Sequence, residues 1–126
     1  PHHWPRPIMK SAAQLIADAK TQITEVTAQD TIARLDAGAP IVLVDVREDR
    51  EWNLGHAAGA QHMSRGTLES KVDGTVPRDA DVVLYCAGGN RSALAAVSLQ
   101  AMGYTRVRSM IGGFRAWVDA GGAVEG

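Results

Sequence analysis

"VVLYCAGGNRSALAAVSLQAMG", residues 82–103, starts as an unbroken apolar run, passes through two glycines and continues as a helix-forming stretch ending at Gly103. An apolar run of this length without alternation is expected of a strand buried on both faces. The helix is expected over Ser92–Met102, so Ala87 to Arg91 form a tight strand-to-helix loop. In open α/β sheets that edge is where ligands bind. Cys86, the only cysteine of the chain, sits at the turn.

Working outward, "PIVLVDV" at residues 40–46 is a second apolar run of strand length, expected of a strand buried on both faces. "ITEVT", a segment near Ala60 to Met63, and "RVRSM" read as shorter strands. Helices are expected after Thr27, which can cap a segment carrying Ile32 and Leu35, around Asp49 to Asn53, over Leu68 to Val72, and within "GGFRAWVDAGG". Ser11 and Gln14 have capping-box spacing, and Ala12, Leu15, Ile16, Ala19 and Ile23 then share one helical face. Strands alternating with helices imply an α/β domain built on a mainly parallel sheet.

The 126 residues suit one domain, with residues 1–9 as a disordered tail or cloning remnant, 10–21 as a helical extension and 22–124 as the domain proper. Thirteen Lys plus Arg against 14 Asp plus Glu give a net charge of −1, and no basic block appears, which argues against nucleic acid or an anionic membrane as partner. No stretch approaches the roughly 20 apolar residues of a membrane span. A lone cysteine gives no internal disulfide, so a reducing cytoplasm is the expected compartment. His2 and His3 lack further ligands at useful spacing, as do His56 and His62, and neither a metal nor a cofactor is expected.

Chemistry is expected at Cys86. Gly88 and Gly89 let successive backbone N–H groups turn toward one centre. The helix start adds unpaired N–H groups and a positive dipole end, and Arg91 adds a permanent charge. All three favour thiolate over thiol, as a nucleophile requires, and would hold an anionic group built on the sulfur.

Three blocks then resemble, in order, the rhodanese homology domain of single-domain sulfurtransferases: "LVDVREDREWNLGHAAGA" at 43–60, "YCAGGNRSALAAVSLQAMGY" at 85–104 and "IGGFRAWVDAGGAV" at 111–124. The resemblance covers about residues 22–124. It implies a parallel five-stranded sheet flanked by helices on both faces, and Cys86 as the residue that becomes a persulfide. By position, Ala87, Gly88, Gly89, Asn90, Arg91 and Ser92 form the loop that holds the transferred sulfur. Asp45, Arg47 and His56 match the first block and are expected to be structural support, the Asp and Arg satisfying each other and His56 fixing the turn after it. Arg65 resembles a basic residue found beside the site in some relatives and is a candidate. Phe114 and Trp117 are read as packing.

The implied reaction moves sulfane sulfur from thiosulfate or a low-molecular persulfide to a thiol or cyanide, with a protein sulfur acceptor as a further candidate partner. Ala87 and Gly88 put no charge where the thiosulfate enzymes carry basic residues, so thiosulfate is expected to be a poor donor. Two rivals are a phosphatase or arsenate reductase, whose loop is one residue longer between Cys and Arg, and a non-catalytic binding or sulfur-carrier module on the same fold. The apolar stripe of the N-terminal helix must be buried on its own domain or across a homodimer, and the sequence leaves both open, along with a monomer.

Overall fold

The computed structural model describes residues 9–126, so His2 and His3 lie outside the described residues. In chain order the elements are α1 (Ala12–Gln22), β1 (Thr24–Val26), α2 (Ala28–Asp36), β2 (Ile41–Asp45), α3 (Asp49–Leu54), β3 (His56–Ala57), β4 (Gln61–His62), α4 (Leu68–Val72), β5 (Asp81–Tyr85), α5 (Asn90–Ala101), β6 (Val107–Met110), α6 (Gly113–Asp119) and β7 (Val124–Glu125). Five strands form one parallel sheet in the order β1-β6-β5-β2-β4.

The two apolar runs occupy β5 and β2, in the interior of the sheet, paired from Ile41 opposite Asp81 to Asp45 opposite Tyr85. The two-residue period sends Val44, Val46, Val82 and Leu84 to one face, where Leu68, Val72, Ala95, Ala96 and Leu99 of α4 and α5 cover them. Leu43, Val83 and Tyr85 take the other face with Met110 of β6, beneath Ala28 of α2 and Trp117 of α6. Helices thus cover both faces, as a buried parallel sheet requires.

The capping box at Ser11 and Gln14 starts α1. Its stripe is covered in part by the chain itself: α1 packs on α5, Ala19 is buried, Ile16 and Ile23 are partly buried, Ala12 is exposed, and Gln100 Nε2 donates to the Gln22 carbonyl at 3.1 Å. Leu15 of that stripe stays half exposed.

Two features differ from the sequence reading. Helix α5 starts at Asn90, ahead of Ser92, because Gly89 takes a left-handed conformation (φ 99°) and turns the chain into the helix early. The segments at 56–57 and 124–125, for which no strand is expected, pair as the antiparallel strands β3 and β7. Two-residue strands carry no periodicity by which a sequence could announce them. Among the described residues no helix is long and apolar enough to cross a membrane.

Candidate active site

Cys86 lies one residue beyond β5, 1% exposed, at the carboxyl edge of the sheet. The left-handed turn at Gly89 folds the loop back over the sulfur, and the Gly89 N–H donates to Cys86 Sγ at 3.0 Å. Ser92, in the first turn of α5, puts Oγ 3.5 Å from the sulfur and 2.8 Å from Ser109 Oγ on the neighbouring strand β6. Burial pushes the thiol pKa up. Hydrogen bonds from the Ser92 side chain and from the N–H groups of Ser92, Gly89 and Gly88 outweigh it and hold the pKa below the ordinary cysteine value. The site therefore favours a thiolate at a buried position, stabilised by dipoles that are already in place.

A second glycine pair fastens this loop from behind. The Phe114 N–H donates to the Cys86 carbonyl at 2.7 Å, and the Arg115 N–H faces the Ala87 carbonyl at 3.5 Å. Close approach is possible because Gly113 has φ 56° and no side chain, whereas a Cβ there would overlap the Cys86 carbonyl oxygen. Gly89 is similarly confined, its would-be Cβ lying 3.2 Å from Gly112 N. The block at 111–124, which holds Phe114 and Trp117, thus also sets the height of the cysteine loop.

Arg91 does not extend alone toward the sulfur. Its Nη1 and Nη2 donate to Glu51 Oε1 and Oε2 of α3 at 2.8 and 3.0 Å, and Glu51 Oε1 also accepts from the Glu48 N–H at 3.1 Å. The Arg91 bond, strengthened by its charge and the Glu48 N–H, holds the Glu51 carboxyl down at about 2 despite partial burial. Glu51 and Ser109 are site residues that the sequence reading did not single out. Glu51 lies inside the first matched block, but its partner is 40 residues away. Ser109 is a small polar residue on a buried strand position, and only the register of β6 against β5 brings it to the site.

None of the remaining candidates hydrogen-bonds the sulfur. Asp45 and Arg47 form a buried ion pair: Asp45 accepts from Arg47 Nη2 at 2.8 Å, from Nε at 3.0 and 3.1 Å, and from the Arg47 N–H at 2.8 Å. Arg47 Nη2 also donates to the Gly55 carbonyl at 2.6 Å, tying β2 to the end of α3. His56 stacks on Trp52 with centroids 3.4 Å apart and Nδ1 donating to the Trp52 carbonyl at 3.1 Å, while its Nε2 lies 3.8 Å from Glu125 Oε1, which accepts the Gly59 N–H of the turn that follows. His62 stacks on Trp52 as well, with centroids 4.8 Å apart. Arg65 pairs with Glu69 at 2.7 Å and lines a groove between α1 and α5 with Lys10 and Leu94. No group of three or more potential metal ligands gathers among the described residues.

The family model of the rhodanese-like domain matches residues 27–120. The chain belongs to that family. Among curated proteins this rhodanese-like domain is 31% identical over 97 residues to the thiosulfate sulfurtransferase GlpE of Tolumonas auensis, covering 77% of this chain and 90% of that protein. It is 32% identical over 107 residues to the probable adenylyltransferase/sulfurtransferase MoeZ of Mycobacterium tuberculosis, covering 82% of this chain; it spans only 27% of that longer protein. Among solved structures, a Rhodopseudomonas palustris protein described as of unknown function and a possible tyrosine phosphatase is 39% identical, with a TM-score of 0.84 over 98% of this chain and 100% of the other. The rhodanese-like domain of the Anabaena Alr3790 protein superposes with a TM-score of 0.77 at 29% identity, over 81% of this chain and 78% of the other. The rhodanese-like fold accounts for the five-stranded parallel sheet and its flanking helices.

Proposed function

We propose that this rhodanese-like domain is a sulfurtransferase that carries sulfane sulfur on Cys86. The observation that carries the reading is the Gly89 N–H aimed at Cys86 Sγ at 3.0 Å, with Ser92 Oγ on the same atom, which favours the thiolate that must attack. The thiolate attacks the outer sulfur of thiosulfate or a low-molecular persulfide and expels sulfite or a thiol. The terminal sulfur of the resulting persulfide is an anion, for which the loop N–H groups and the start of α5 are suited partners. A thiol, cyanide in an assay, or a protein acceptor then removes that sulfur and returns Cys86 to its starting state. The chain holds no second cysteine, so discharge requires a nucleophile from outside it.

The test is the intact mass of wild type and Cys86→Ser after thiosulfate or glutathione persulfide, before and after cyanide. One added sulfur on wild type alone, removed by cyanide, supports the reading. No adduct from either donor on an alkylatable thiol overturns it. The description of the R. palustris relative makes phosphatase chemistry the second reading. Only Ala87, Gly88, Gly89 and Asn90 separate Cys86 from Arg91, a short loop better matched to one sulfur atom than to a tetrahedral phosphate. Accordingly, aryl phosphate and arsenate are expected to give no turnover with the same protein.

A further inference from the structure

Arg91 is the only charged side chain between Cys86 and Met102. Within the loop, that guanidinium is the one net positive charge a dianionic donor such as thiosulfate could meet, since the backbone N–H groups converge on the sulfur and offer no net charge. The guanidinium is already committed. Both of its terminal nitrogens bond the two oxygens of Glu51, a two-point geometry that is among the strongest an arginine makes. Glu51 cannot easily swing aside, because its Oε1 also closes the capping box of α3 through the Glu48 N–H. The start of α3 also presents exposed Glu48, Asp49 and Arg50.

We propose that Glu51 is a positioning residue that selects the class of sulfur donor: by holding Arg91 in a two-point ion pair, it withdraws the loop's only cation and makes Cys86 take sulfur from persulfides of low-molecular thiols in preference to thiosulfate. This inference rests on the reading of Cys86 as a sulfur carrier. With a persulfide R–S–SH, an Sγ–S bond forms as the donor's S–S bond breaks. The departing thiolate keeps the donor's proton, leaving Cys86–S–S⁻ and R–SH with no net oxidation. With thiosulfate the same exchange would release sulfite, whose two negative charges would find the Arg91 guanidinium already paired with Glu51. A persulfide brings at most one charge at its reacting end and needs no such cation.

The experiment compares kcat/KM for thiosulfate and for glutathione persulfide in wild type and Glu51→Gln, which keeps an oxygen for the capping box but releases Arg91. The ratio of thiosulfate to persulfide kcat/KM is expected to rise about ten-fold or more in the variant. An unchanged ratio, or a fall in both rates together, overturns the inference. A readout on wild type stands even if the variant fails to fold. Raising salt from about 20 to about 300 mM screens charge, so thiosulfate kcat/KM should stay level or rise if no free cation attracts the dianion. A steep fall with salt would show such a cation and overturn the proposal. If wild type accepts sulfur from neither donor, the carrier reading itself fails, whereas sulfur uptake without donor selectivity removes only the role of Glu51.

Discussion

Gly113 packs so closely on Cys86 that the carbonyl oxygen of the cysteine occupies the place where a side chain at 113 would begin. The two residues are joined through the next amide, as the Phe114 N–H donates to that same oxygen at 2.7 Å. The loop that carries the sulfur is thus braced by the start of α6.

Gly113→Ala should damage both stability and the site. The left-handed φ of 56° is strained for alanine, and the added methyl group must displace the cysteine loop. A loss of about 2 kcal/mol or more in urea unfolding is expected. Persulfide loading should also be slower at temperatures where the variant remains folded. A variant as stable as wild type would show that the loop can move away without cost.

Ser92→Ala should raise the Cys86 pKa. In wild type burial pushes the thiol up, but the hydrogen bonds to sulfur overcome it and hold the thiol below its ordinary value. Deprotonation therefore persists to lower pH in the folded protein, and reactivity falls as pH drops through that depressed pKa. The pH profile of iodoacetamide alkylation should have its midpoint below the ordinary value in wild type and shift upward in the variant. A midpoint that does not move would remove the serine from the account.

Acid stability should report the Glu51–Arg91 pair. Glu51 sits at about 2 in the fold against an ordinary value of 4.5, so its contribution is full above 4.5 and is lost as pH falls toward 2. The stability difference between wild type and Glu51→Gln should shrink across that window in chemical unfolding at stepped pH. A difference that stays constant from neutral pH to below 3 would mean that the carboxylate's charge is not what stabilises.

Two ion pairs should differ sharply when cut. Asp45→Ala leaves Arg47 buried without its carboxylate and should cost about 3 to 5 kcal/mol. Arg65→Ala breaks a partly exposed pair with Glu69 and should cost about 1 kcal/mol or less. Equal losses in urea unfolding would contradict the burial argument.

The parallel sheet and the cysteine loop were legible because their signals are local. Ile41–Asp45 and Asp81–Tyr85 carry continuous apolar cores, Ser11 and Thr27 cap the helices that follow them, and two glycines mark the turn after Cys86. What stayed hidden depends on residues far apart in the chain. Glu51 reaches Arg91 across 40 positions, and Ser109 reaches Ser92 only through strand pairing. The glycines at 112 and 113 were visible, but not the carbonyl that needs their bareness. His56 could be placed in its block, while the direction of its ring depended on the Trp52 indole being available to stack on.

The order of the sheet has one more consequence. Its outer strands, β1 and β4, are three and two residues long, while the long apolar strands β2 and β5 are shielded between neighbours. A strand of two or three residues offers little template for another backbone to pair with, so edge-to-edge aggregation is disfavoured by length alone. The five-residue runs most capable of seeding such stacking gain access to a neighbouring copy only when the sheet itself opens.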